Sequence, residues 1–294
     1  MRTLIINSNN LVSTPYNDTY QYRFPIGSVH FKNDQIAVSS ISMYYSWENI
    51  TSSSEGGQYN NNSFQYSWLG TTITITLPTG YYEIADMNAY LQSQMVANKH
   101  YLIDSNGDYV YYLEIVQNST YYAVGFNCYA IPTSAQASTL GYTQPSSPGW
   151  SFPATATTPQ FIVLSSNNFK SVVGFSAGTY PPATQSSNYS VISNNGVPQI
   201  TPVSSLIMTC SLLNNSYSIP STLMYSFSPN VSYGSQIQIS PPEMSFVDIQ
   251  DGSYNDFQIV FFDQNLNRIS IQDTNLVILL TVKNKNEYVD KILN

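Results

Sequence analysis

The sequence predicts an all-β sandwich that carries one short helix, and three observations point to it. Residues 71–77 alternate strictly, with Ile73, Ile75 and Leu77 on one side and Thr72, Thr74 and Thr76 on the other. That is the period of a half-buried strand made of good β formers. After Pro78 and Gly80 the period changes: Ile84, Met87, Leu91 and Met95 fall at helical spacing, and Glu83 and Asp86 place negative charge where it favours a helix N-terminus, so a helix is expected over about 83–98. From residue 205 onward, short apolar runs return at 206–213, 223–227, 236–239, 257–262, 268–271 and 275–283, separated by turn residues at the spacing of a sandwich.

The remaining elements follow in order. Residues 1–20, with Pro15 and several Asn and Ser, read as an irregular N-terminal arm that only docking can order. Strand character builds over 35–48 and gives way to a polar loop over 51–62. Residues 101–131 read as two or three strands with a hairpin turn at 104–108, and 133–158, rich in Ser, Thr and Pro, as a long surface excursion. Phe169, Val172, Val173 and Phe175 make one face of a second short helical turn, about 168–175, closed by Gly174 or Gly178. In the last strand Leu276, Ile278, Leu280 and Val282 face a core, but Val277 and Leu279 are apolar on the opposite side. A strand apolar on both faces needs cover from its own chain or from a neighbouring subunit, which makes Val277 and Leu279 the candidate subunit-interface residues. Residues 21–294 are therefore expected to form one sandwich domain, with long loops or a small inserted subdomain within about 100–165.

Composition narrows the function classes. Only 9% of the 294 residues are charged while 42% are hydrophobic and 25 are Tyr, so a sizeable core forms and the surface is wetted by Asn, Ser, Thr and phenol hydroxyls. Between Val116 and Pro242 the one ionisable Asp, Glu, Lys or Arg is Lys170. A net charge of -8 with no basic stripe argues against a nucleic-acid groove. No apolar run approaches the length of a membrane span, and the start of the chain lacks the pattern of a secretion signal. Asn17, Asn118, Asn188 and Asn230 open glycosylation sequons that chance supplies in so Asn-rich a chain.

Side chains that could carry chemistry are sparse. His30 and His100 lie near no Cys, Asp or Glu at ligand or triad spacing and read as surface or rim histidines. Asp104, Asn106 and Asp108 have the look of a calcium loop, but Gly107 and Ile115 break the EF-hand pattern and a hairpin turn fits better. Asp248, Asp251, Asp256 and Asp263 could hide a carboxylate pair for glycoside hydrolysis, yet they sit among turn residues. Tyr44, Tyr45, Trp47, Tyr66 and Trp68 could stack sugars; their strand positions favour packing. Cys128 and Cys210 read as buried small apolar residues rather than a disulfide. No catalytic residue, metal or cofactor is expected.

An ordered run of motifs resembles the penton, or minor capsid, proteins of double-jelly-roll viruses, most closely those of virophages and Polinton-like elements. The run begins with residues 31–50, whose aromatic end reaches Asn49-Ile50. Residues 74–91 follow, with Leu77-Pro78-Thr79-Gly80 and then Tyr82, Ile84, Asp86 and Asn88 at alternate positions. Phe169 to Phe175 and the closing strands 257–271 and 276–283 complete it, so the likeness covers about 31–283. It implies a single jelly roll, five copies forming a homopentamer at each icosahedral fivefold vertex, contact with the surrounding double-jelly-roll major capsid protein, residence in the virion after assembly in the host cytoplasm, and no catalysis. The alternatives are a carbohydrate- or receptor-binding β module of fibre-head or lectin type and a jelly-roll glycoside hydrolase.

Overall fold

The computed structural model describes residues 1–12, 14–52, 59–193 and 195–288; part of the loop expected over 51–62 lies outside them. The chain divides into two compact units, one made of residues 1–47 and 203–294 and the other of residues 48–202. The first unit opens with β1 (Arg2–Asn7), β2 (Thr19–Arg23), β3 (Val29–Phe31) and β4 (Asp34–Tyr44). The second contains β5 (Ser63–Trp68), β6 (Thr71–Thr76), β7 (Leu102–Ile103), β8 (Tyr109–Val110), β9 (Leu113–Asn118), β10 (Ala123–Cys128), β11 (Gln160–Val163), β12 (Gly178–Tyr180) and β13 (Tyr189–Ile192). Its helices are α1 (Ile84–Ala97), α2 (Ser134–Leu140) and α3 (Phe169–Val173). The first unit resumes with β14 (Leu206–Cys210), β15 (Leu223–Phe227), β16 (Gln236–Ile239), β17 (Val247–Asp248), β18 (Gly252–Tyr254), β19 (Asp256–Asp263) and β20 (Val277–Asn284).

Strand order identifies the first unit as a jelly roll. One sheet runs β1-β20-β4-β16 and the other β15-β14-β19-β2, and neighbouring strands are antiparallel. Taken along the chain, the first of these strands pairs with the last, the second with the last but one, and so inward to β14 and β15. This nesting is what rolling up one long hairpin produces, and it leaves two antiparallel sheets to bury their inner faces on each other. The inner face alternates as a half-buried strand must: Ile278, Leu280 and Val282 of β20, Ile36, Ile41 and Met43 of β4, and Ile259 and Phe261 of β19 are buried.

Two features of the structure stand beside the sequence reading. The expected arm over 1–20 contains β1, paired with β20 from Arg2↔Val282 to Asn7↔Val277, because burying Ile6 and half-burying Leu4 on a sheet edge outweighs leaving them in water. Beside the expected domain over 21–294 with a possible insertion within about 100–165, the compact unit of 48–202 occupies the connection between β4 and β14. The strand–turn–helix segment over 71–98 belongs to this inserted unit and not to the jelly-roll frame.

The inserted unit has its own core. Sheets β13-β10-β9 and β12-β11-β5-β6 bury Phe64, Tyr66, Phe126 and Phe161, and α1 adds Ile84, Met87, Leu91 and Met95, the four residues its spacing marked. Glu83 sits at the helix cap and Asp86 accepts a hydrogen bond from the Glu83 backbone N–H at 2.9 Å. Phe126 stacks between Phe161 and Phe175, with ring centroids 4.3 and 4.1 Å away. α3 ends where Gly174 takes a left-handed φ of 71°, the conformation glycine adopts without strain; a Cβ there would meet the Gly196 carbonyl oxygen at 2.9 Å.

Candidate assembly surface

The outer face of the β1-β20-β4-β16 sheet holds Val277 and Leu279. Alternation along β20 puts Ile278 and Leu280 inside, fully buried, and leaves Val277 43% exposed and Leu279 half-buried outside. β1 lies antiparallel beside it and places Ile5, 53% exposed, directly opposite Leu279. On the other side Ser42 and Ser40 of β4 face Val277 and Leu279. Three apolar side chains thus converge on a strip bordered by small hydroxyls, a surface that another chain can cover without stripping water from ions.

Part of this face is covered by the chain itself. The Ser39 and Thr281 hydroxyls share a hydrogen bond of 2.6 Å, and the Ser39 hydroxyl also donates to the Met244 sulfur at 3.9 Å. The Lys283 ammonium lies 3.6 Å from the centroid of the Phe246 ring, a cation–π contact. The segment between β16 and β17 therefore shields the β20 end near Lys283, while Val277 and Ile5 stay exposed and Leu279 half-buried. Sequence reasoning missed Ile5, since only the pairing of the two chain ends places it there.

The residues weighed for chemistry serve the fold. Asp263 is buried and accepts from the backbone N–H groups of Asn265 and Asn267, both at 2.8 Å, and from the Asn267 side-chain amide, holding its own turn together. Asp248 pairs with Lys285 at 2.7 Å and accepts from Gln35 at 2.8 Å; the Lys285 bond, then the Gln35 bond, hold its carboxyl below the usual range. Asp251 accepts from the Asn33 backbone N–H at 2.9 Å. Asp104 closes the hairpin between β7 and β8, accepting from the Asn106 and Asp108 N–H groups at 2.8 and 2.9 Å, as a turn residue rather than a calcium ligand does. Among the described residues no group of three or more His, Cys, Asp or Glu side chains is placed to hold a metal ion, and no helix is long and apolar enough to cross a membrane.

Packing also claims most of the aromatic and sulfur groups. Tyr45, Trp47, Tyr66 and Trp68 are buried and Tyr44 is half-buried, so they form no exposed sugar platform. Cys128 and Cys210 are free and buried, in different units, and burial pushes both thiols up to about 12. His30 is exposed and shares a 3.0 Å hydrogen bond with the Ser253 hydroxyl. His100 differs from the surface or rim position expected of it. Its ring is buried, stacked on Trp68 at 5.0 Å with planes 6° apart, and its Nδ1 is 2.8 Å from the Tyr66 hydroxyl. Burial lowers its pKa to about 4, because the site offers little solvation to an imidazolium.

No protein-family model matches the chain, and no curated protein matches it. Among solved structures, the crystal structure of the mavirus penton protein is similar at 10% identity over 96% of each chain, with a TM-score of 0.43. The cryo-EM structure of the Sputnik virophage contains a chain similar at 12% identity over 98% of this chain and 99% of that one, with a TM-score of 0.36.

Proposed function

We propose that this protein is a structural capsid subunit of the penton type, five copies of which form a ring at the icosahedral fivefold vertex and contact the double-jelly-roll major capsid protein around it. The observation that carries the reading is the apolar strip of Val277, Leu279 and Ile5 on the outer sheet face of a jelly roll, in a chain whose motifs resemble those of the pentons in order. A ring of identical subunits joins one patch to a different patch on the next copy and closes by rotation, so a strip on one sheet face fits such a contact. The low charge of the chain suits it further, since apolar and hydroxyl groups desolvate at small cost. On this reading the protein resides in the virion, assembles in the host cytoplasm and performs no catalysis, and its weighed carboxylates act as turn and ladder partners.

Light scattering on the purified chain tests the ring. Wild type should show the mass of five copies at high concentration, while Val277→Asp and Leu279→Asp should show one copy with an unchanged thermal midpoint. Equal masses for wild type and both variants would remove the strip from assembly. A lowered midpoint in Leu279→Asp alone would assign that side chain to the fold of the monomer.

A further inference from the structure

A small cavity in the inserted unit lies at the tip of the β9–β10 hairpin, at the edge of that unit's core and apart from the assembly strip. Its volume is about 90 Å³, and it is lined by Gln117, Asn118, Ser119, Tyr122, Ala123, Pro198 and Ile200. The floor is apolar: Ala123 and Pro198 are buried and Ile200 is half-buried. The rim is polar and unused. The Gln117 amide, the Asn118 side-chain N–H group and the Ser119 hydroxyl make no hydrogen bond among the described residues, while Asn118 Oδ1 accepts from the Tyr121 backbone N–H at 3.3 Å.

Tyr122 of the lining is 72% exposed, and Tyr121, which precedes it in the hairpin, is 71% exposed. Tyr122 holds a left-handed φ of 49°, a conformation that costs a residue with a Cβ on the order of 1 kcal/mol. The hairpin thus keeps two large rings in water at its tip, although aromatic area usually ends up buried.

We propose that this cavity is a binding subsite for the acetamido group of an uncharged, N-acetylated glycan. An acetamido group carries a methyl, which the Ala123, Pro198 and Ile200 floor accepts, and an amide N–H and C=O, which the Gln117 and Asn118 amides and the Ser119 hydroxyl complement in both directions. The adjoining tyrosine ring offers an apolar face to the C–H face of the sugar. The cavity lies well below the size that encloses a whole ligand, so it takes one substituent while the sugar ring stays at the rim. Charge selects the class further: from residue 117 through the end of the inserted unit the one ionisable Asp, Glu, Lys or Arg is Lys170, outside the lining, so nothing there pairs with a sialic carboxylate or a sulfate.

Saturation-transfer NMR on protein made in a bacterium, where the Asn118-Ser119-Thr120 sequon stays unmodified, provides the test. Triacetylchitotriose and an N-acetylgalactosamine oligosaccharide are compared with maltotriose and a sialylated lactose. Transfer should be strongest at the acetamido methyl of the uncharged N-acetylated sugars. Tyr122→Asn, chosen because Asn tolerates the left-handed backbone, and Gln117→Ala, an exposed position, should each weaken binding at least tenfold without lowering the thermal midpoint. Absence of methyl transfer at millimolar ligand, equal transfer to maltotriose, preference for the sialylated sugar, or full binding in both variants would each overturn the proposal. Since every lining residue lies in the inserted unit, these outcomes are read independently of whether the chain forms pentamers.

Discussion

In the rolled sandwich, the turn after β19 is tied to the entry of β2 by an ion pair, whereas the inserted unit is tied at its two ends by an uncharged amide. Asp18, fully buried, takes both a side-chain Nε–H and an Nη2–H bond from Arg268, which also donates to the Thr19 hydroxyl at 2.9 Å and lies over the Tyr16 ring. Asn49, equally hidden, donates to the Tyr82 and Ile200 carbonyls at 2.8 and 2.7 Å and accepts from the Tyr82 N–H at 2.8 Å. Asn61 extends this clasp by donating to the Asn49 carbonyl at 2.8 Å and accepting from the Thr51 N–H at 2.9 Å.

The difference lies in what each clasp risks. A buried carboxylate is tolerable only while its partner stays, whereas an amide divides the same task among several neutral bonds. The same device recurs in the long stretch with almost no charge, where Asn, Ser and Thr side chains take up some of the backbone groups outside the strand ladders, at about 1 kcal/mol net for each bond.

The contrast can be broken from either side. Arg268→Ala leaves the Asp18 carboxylate the Thr19 hydroxyl, 3.0 Å away, as its side-chain donor, so denaturant unfolding of the sandwich should lose about 3 kcal/mol; a loss under about 1 kcal/mol would mean that water already solvates Asp18. Asn49→Ala leaves the Tyr82 N–H and two carbonyls without partners and should cost about 2–4 kcal/mol, read by the fluorescence of Trp68 and Trp150 in the inserted unit. If the two variants lose equal stability in high salt and low salt alike, the ionic and neutral clasps are not different in kind.

Acid sharpens the comparison. His100 is neutral in the folded inserted unit, with its pKa near 4, but binds a proton near the ordinary 6.5 once unfolded. Its contribution is therefore complete above pH 6.5 and is lost as pH falls toward 4, by up to about 3 kcal/mol. His100→Gln, which keeps a partner for the Tyr66 hydroxyl, should flatten the pH dependence of stability across that interval relative to wild type. An unchanged slope would assign the acid sensitivity to the carboxylates instead.

Local patterns were the legible part of the chain. α1 and its four buried residues, the turn at Asp104, the short helix closed by Gly174 and the inward set of β20 all follow from spacing and residue type, because each depends on neighbours within a few positions. The candidate strip was half legible. Val277 and Leu279 announced themselves by breaking the alternation of an otherwise one-sided strand, but Ile5 gave no signal, since its partner Leu279 lies at the far end of the chain. The buried site of His100 was hidden for the same reason: Trp68 and Tyr66 reach it from a strand that precedes α1. Tyr121 and Tyr122 stand at the hairpin tip because of the pairing of β9 with β10.

The sequence by itself determined an all-β chain with one well-marked helix, little charge, and a last strand apolar on both faces. Those properties are set by short-range periodicity and composition, which any fold must respect. Only the tertiary structure decided that the first strand pairs with the last, that residues 48–202 form a unit of their own between β4 and β14, and which aromatic rings are buried. The physical reason is that strand pairing satisfies backbone groups whatever side chains they carry, so the choice among distant partners rests on the summed burial of two whole sheet faces, a quantity no local window contains.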